Sequence, residues 1–248
     1  MEEIDRQAKR WDQWAPHYDA LSTGRNPQHD ASRLRQLAPP GPALELGCGT
    51  GLVAIELARL STDVTGLDAS PKMVEAFNAK TGALPARALV GDMTRIDLDQ
   101  RFALIFVVAS TLFTLTSQED QVACFEAAAR HLAPGGVFAV EARVSDWQSG
   151  QVQGTSVREV GDEHVRWSAM QHDPVTQTVR SQEVLTTPQG VTMLPLVIRY
   201  AWPSELDLMA RLAGMRRQAQ YGDWQGGPFK GDSTRHLTLY TLDPSDDR

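Results

Sequence analysis

Leu44-Glu-Leu-Gly-Cys-Gly-Thr-Gly51 runs from a short apolar segment through a glycine-spaced turn into a helix-forming segment, Gly51–Leu60. Glycine at Gly47, Gly49 and Gly51 permits positive φ and lets a ligand approach the backbone closely. In an open α/β sheet such a turn lies at the carboxyl edge of a strand, where ligands bind. The spacing is GxGxG, not the GxGxxG of dinucleotide-binding oxidoreductases. Glu45, just before the turn, places a carboxylate that complements a cation better than a pyrophosphate. Asp68 closes the next apolar run, and an acid at that position can accept both hydroxyls of a ribose.

Outward from this turn, apolar runs alternate with helical segments. Ala43–Leu46, Val64–Leu67, Ala88–Val90, Phe102–Val108 and Val137–Val140 read as buried strands. Gly51–Leu60, Ser70–Lys80 and Gln118–Leu132 read as helices, with Ser70 and Pro71 opening the second and Pro134-Gly-Gly136 ending the third. Strict alternation of this kind predicts an α/β, Rossmann-like, doubly wound and mostly parallel sheet. Upstream, Ile4, Ala8, Trp11, Ala15 and Tyr18 recur at helical spacing, interrupted by Pro16, and a second helix is expected over Asp30–Ala38.

The character changes after residue 145. His164–His172, Thr176–Thr186 and Val191–Trp202 read as three antiparallel strands joined by Asp173-Pro174 and Pro188-Gln-Gly190. A short helix from Ser204 to Gly214 and strands over Arg216–Tyr221 and His236–Leu242 complete the chain. The expected division is a helical cap over 1–40, a ligand-binding unit over 41–145 and 203–242, and an antiparallel β insertion over 146–202 acting as a lid, substrate or dimer element.

Bulk properties narrow the function classes. Net charge is −7 and the basic residues are dispersed, which disfavours nucleic acid as a partner. No apolar run approaches a membrane span, and Met1-Glu-Glu-Ile-Asp-Arg lacks the apolar core of a signal peptide, so a cytoplasmic location is expected. Cys48 and Cys124 have no neighbouring ligand spacing, so neither a metal site nor a disulfide framework is expected.

Leu44–Gly51 resembles the first motif of class I S-adenosylmethionine-dependent methyltransferases, and Gly66-Leu-Asp-Ala-Ser70 followed by Met73 resembles the second. Gly91-Asp92-Met93 is similar to the third, and Leu132-Ala-Pro-Gly-Gly136 to the family's turn into strand five. The resemblance implies S-adenosylmethionine as cofactor, held by Glu45, Gly47, Cys48 (through its backbone), Gly49, Gly51, Asp68, Ala69, Met73, Asp92, Met93, Val108 and Ala109. It also implies that the N-terminal helix lies over the cofactor, where Tyr18 is a candidate for contact with the sulfonium and for the catalytic role. Methyl transfer from such a cofactor asks for alignment and exclusion of water, with no covalent enzyme intermediate.

The fourth strand ends in Val108-Ala-Ser-Thr111, without the Asn/Asp-Pro-Pro-aromatic signature of nucleobase amino-methylating enzymes or the Pro-Cys of cytosine-C5 enzymes. The arrangement resembles small bacterial methyltransferases of natural-product pathways, which implies a small-molecule acceptor methylated at nitrogen or oxygen. Methylation of a peptide α-amine, or cofactor binding without catalysis, stands as the alternative. Ser110, His172, Arg199 and Tyr200 are the candidate acceptor contacts, an arginine there suiting a carboxylate or phosphate. Unpaired edges of the insertion would allow a homodimer.

Overall fold

A computed structural model describes residues 2–22, 24–144 and 153–243. Its centre is a seven-stranded sheet in the order β10-β11-β5-β4-β1-β2-β3. The strands are β1 (Ala43–Leu46), β2 (Val64–Asp68), β3 (Ala86–Val90), β4 (Phe102–Val107), β5 (Leu132–Arg143), β10 (Met215–Tyr221) and β11 (Arg235–Leu242). The first five are parallel, and β11 runs antiparallel to both β5 and β10. β1, β2 and β4 are buried along their whole length, as strands covered on both faces must be. Alternation along β4 then splits the core: Ile105 and Val107 join one cluster, Leu104 and Phe106 the other. Chain order reverses between β1 and β4, so the ligand crevice is expected at their carboxyl ends.

Helices α3 (Pro27–Leu37), α4 (Leu52–Arg59), α5 (Pro71–Thr81), α6 (Gln118–His131) and α7 (Pro203–Leu212) accompany the sheet. α5 begins as its sequence predicts, with the Ser70 hydroxyl accepting from the Met73 amide at 3.2 Å. α6 ends one residue short of the expected Leu132, and Pro134-Gly-Gly136 lies inside β5 instead of after the helix. The cause is local: Leu132 is already extended, and the register slips from Phe102↔Leu132 to Leu104↔Val137, making the Pro-Gly-Gly segment a bulge.

The N-terminal segment forms two helices, α1 (Glu2–Trp14) and α2 (Tyr18–Leu21), because Pro16 breaks the run; Tyr18 therefore opens a new turn. A second sheet, β6-β7-β8-β9, is an antiparallel meander of β6 (Gly154–Val160), β7 (Val165–Asp173), β8 (Thr178–Thr187) and β9 (Gly190–Arg199). It has four strands where the sequence suggests three. β6 is an exposed edge strand, bulged between Val157 and Glu159, so it carries no clean alternation. Its sheet packs on the core through Val179 and Tyr200. The beginning of the expected insertion, 146–152, and the tail, 244–248, lie outside the described residues. Among the described residues no helix is long and apolar enough to cross a membrane.

Candidate active site

The glycine turn after β1 sets the floor of the main cleft. Gly47, Gly49 and Gly51 all have positive φ, and a Cβ on Gly47 would collide with the Thr111 side chain. A Cβ on Gly49 would lie 3.5 Å from the Tyr18 ring, in the space a ligand would use. Gly51 faces the other way, where a Cβ would meet Phe77 at 2.5 Å, so this glycine serves helix packing. Gly66 in β2 gives the turn its seat: a Cβ there would be 2.6 Å from the Cys48 sulfur.

Asp68 ties the turn to the second loop. Its Oδ2 accepts from the Gly49 amide at 2.8 Å and its Oδ1 from the Ser70 amide at 2.9 Å. Burial raises its pKa, and those two hydrogen bonds oppose the rise. Each oxygen keeps a further lone pair, so the carboxylate can still accept from hydroxyl groups in the cleft.

The cleft between this floor and the N-terminal helices encloses about 740 Å³, its open mouth included. Tyr18, Gly47, Gly49, Asp68, Ala69, Met73, Asp92 and Met93 all line it, so eight residues picked from the sequence meet in one space. Gln7, Trp11, Thr111, Thr114 and Asp120 line it as well and were not among those picked. The helical spacing of Trp11 and Tyr18 was a signal for one of them. The Thr111–Thr114 3-10 turn had none, since its position follows from Ala109 and Ser110 both adopting φ near +59°.

Four expected cofactor residues, Glu45, Cys48, Gly51 and Val108, do not line this cleft with their side chains. Glu45 is buried, and its Oε2 accepts from the Ala54 amide at 3.1 Å. That contact caps α4, whose N-cap Gly51 has no side chain to do so. Burial pushes the Glu45 pKa to about 8, with the Arg25 charge opposing the rise. Glu45, expected to complement a bound cation, thus serves in the interior as the cap of α4, with burial favouring its neutral form. Cys48 and Val108 are also buried, and burial raises the Cys48 thiol pKa well above the usual range.

A second cleft opens on the far side of Tyr18. Ala109 and Ser110 line it, with Arg25, Glu141, Arg143 and Arg235. Glu141 holds its floor: Oε2 accepts from the Ala109 amide at 2.6 Å and from Arg25 at 3.2 Å. The Ser110 hydroxyl accepts from the Arg143 amide at 2.9 Å. Tyr18 lines both clefts, and its pKa is raised, first by burial and then by the Glu45 charge. Its phenol is accordingly neutral at physiological pH, a hydrogen-bonding hydroxyl and not a phenolate base.

Arg199, Tyr200 and His172 line neither cleft. Arg199 is buried and bonds Gln121 Oε1 at 2.7 Å, Gln177 Oε1 at 3.1 Å and Glu205 Oε1 at 2.6 Å. Burial would raise the Glu205 pKa, but the bonds from Gln177 and Arg199 hold it below its ordinary value. This network clamps the end of β9 to α6 and α7, so the arginine expected to meet an acceptor anion is a structural anchor. Tyr200 is buried with its hydroxyl 3.2 Å from His172 Nε2. Among the described residues no cluster of three His, Cys, Asp or Glu could hold a metal ion.

The chain resembles known proteins over most of its length. Residues 43–136 match the family model described as a methyltransferase domain. Over 79% of this chain and 81% of the relative, the sequence is 30% identical to the cypemycin N-terminal methyltransferase of a Streptomyces species. The chain belongs to the class I S-adenosylmethionine-dependent methyltransferases. Among solved structures, the CcbJ methyltransferase from Streptomyces caelestis superposes with a TM-score of 0.87 at 32% identity, covering 95% of this methyltransferase and 98% of that chain. A shorter match, 30% identical over 50% of this chain and 52% of the relative, is the dTDP-4-amino-2,3,4,6-tetradeoxy-D-glucose N,N-dimethyltransferase of Saccharopolyspora spinosa.

The methyltransferase's main cleft fits S-adenosylmethionine by its own chemistry. The turn at Gly47 and Gly49 adjoins a carboxylate with spare lone pairs, and two methionines, Met73 and Met93, line the same cleft. When bound, S-adenosylmethionine supplies an activated methyl group on a sulfonium.

Proposed function

We propose that this methyltransferase acts on a nitrogen or oxygen of a small-molecule acceptor that enters by the second cleft and meets the cofactor cleft at Tyr18. The observation that carries the reading is that the Tyr18 side chain lines both spaces. In this reading Asp68 takes the ribose hydroxyls, Met73 and Met93 flank the adenine, and Asp92 receives its amino group. Asp92 Oδ1 already accepts from the Thr94 amide and hydroxyl, each at 2.8 Å, which leaves Oδ2 for the ligand. Gly47 and Gly49 face the methionine end.

Tyr18 then orients the acceptor. A neutral hydroxyl can accept a hydrogen bond from an acceptor N–H or O–H and hold its lone pair toward the cofactor cleft. The α1–α2 cap is held to α5 beside the cleft: the Ser70 hydroxyl donates to Asp12 at 2.6 Å, and Lys80 pairs with Asp19 at 2.6 Å. Fixed alignment of two bound reactants is worth roughly 7–11 kcal/mol, enough for catalysis without a covalent step.

A peptide α-amine is the second reading, favoured by the cypemycin N-terminal methyltransferase among the relatives. The small-molecule reading goes with a cytoplasmic enzyme and with a homodimer, for which β6, paired on one side only among the described residues, offers an edge. Incubation with isotope-labelled S-adenosylmethionine and a panel of amino sugars, phenols and short peptides tests the reading. Label should pass to a nitrogen or oxygen, and Tyr18→Phe should slow transfer while calorimetric cofactor binding stays within about threefold. Equal transfer rates for Tyr18→Phe and the parent protein would refute the role given to this residue.

A further inference from the structure

Arg143 and Arg235 are direct partners across the antiparallel pair β5–β11. Side chains of such a pair lie on one face of the sheet with Cβ atoms about 5 Å apart, and like charges so placed are destabilising. The next pair on that face is Glu141↔Leu237, so Glu141 points the same way. All three charged residues line the second cleft.

The one carboxylate on that face does not neutralise the arginine pair. Glu141 Oε2 is engaged by the Ala109 amide and by Arg25, and its Oε1 reaches Arg235 only at 3.7 Å. Arg25 is itself shared between Glu141 and Asp30, its Nε lying 2.8 Å from the latter. Arg143 is exposed, and among the described residues its side chain has no ion pair or hydrogen bond. The second cleft is thus lined by three guanidinium groups and one carboxylate, with Asp30 pairing Arg25 outside that lining, in a chain whose net charge is −7. A positive spot on a negative molecule selects and steers an anion.

We infer that Arg143 and Arg235 form a subsite for an oxyanion group of the acceptor, a carboxylate or a phosphate. Two guanidinium forks on adjacent strands can each donate paired hydrogen bonds to such a group. The group would anchor the acceptor at the cleft mouth with its nucleophile directed at Tyr18. The inference rests on the acceptor entering by the second cleft and narrows that acceptor to an anionic one.

The test uses the full chain loaded with S-adenosylhomocysteine, with the arginine Nε–Hε signals followed by NMR during titration with inorganic phosphate and, separately, sodium acetate. The Arg143 and Arg235 signals should shift saturably, and Arg143→Gln should weaken the response of Arg235 by about tenfold or more. A tighter phosphate response assigns a phosphorylated acceptor, and a tighter acetate response a carboxylate. Non-saturating drift, or a response of Arg235 unchanged by Arg143→Gln, would overturn the subsite. Calorimetry with S-adenosylmethionine on the same samples separates the two readings: intact cofactor binding without an anion response removes the subsite alone.

Discussion

Replacing Glu45 by Gln turns the buried cap of α4 into a thermodynamic probe. In the folded protein this carboxyl has a pKa near 8, against an ordinary value of 4.5, and burial is the main cause. A folded pKa above the unfolded one means that the folded state binds more protons between the two values, so this group's contribution to stability falls as pH rises through that window. With roughly 1.4 kcal/mol per pKa unit, the contribution falls by about 3 kcal/mol between pH 5 and pH 8. Gln keeps a carbonyl oxygen for the Ala54 amide and has no charge to bury. Urea unfolding followed by tryptophan fluorescence at several pH values should show the parent losing about 3 kcal/mol more than Glu45→Gln over that range. Asp30 and Asp68 are also raised by burial and act with the same sign, but they are common to both proteins and cancel in the difference. Parallel pH profiles, or a variant that is less stable at pH 8, would refute the assignment of Glu45 as a neutral interior cap.

Other outcomes follow from the same contacts. Arg199→Ala should destabilise by about 3–5 kcal/mol, because Glu205 keeps its charge and loses its partner, while calorimetric cofactor affinity stays unchanged. Gly51→Ala should lower the melting temperature, since the new methyl meets Phe77 and the residue is held at φ +85°; Gly49→Ala should chiefly weaken cofactor binding in a calorimetric titration. Arg143→Gln should leave unfolding free energy unchanged or raise it by about 0.2–1 kcal/mol in chemical denaturation, as a like-charge pair is relieved.

The floor of the main cleft was legible because its chemistry is local. Glycines at fixed offsets after a strand, an acid ending the next strand and Gly91-Asp92-Met93 occupy positions that the sheet brings together, and Gly47, Gly49, Asp68 and Asp92 all face one space. The walls were harder to read. Gln7, Thr114 and Asp120 arrive there through packing of the cap and through two consecutive residues at positive φ, which no spacing announces. Glu45 and Arg199 show a different limit. A charged residue near a site looks alike in sequence whether it faces ligand or interior, and only the Ala54 amide and the Glu205 carboxylate decide which. β6 stayed hidden because its residues are mostly exposed and the bulge breaks its period.

The cap over the cofactor cleft also has a consequence for how the protein is made. Its anchors lie far ahead in the chain: Gln7 donates to the Thr114 carbonyl, Trp14 to the Pro195 carbonyl 181 residues away, and Arg166 donates to the Leu21 carbonyl. The cap meets α5 early, through Asp12 with Ser70 and Asp19 with Lys80, whereas its contacts with Pro195 and Arg166 close only once β7 and β9 are in place. The parallel sheet and its glycine turn can assemble earlier from shorter-range contacts, which are entropically easier to close. The roof of the ligand chamber is thus completed by contacts of long sequence separation, Trp14 with Pro195 and Leu21 with Arg166, which are the slower ones to close.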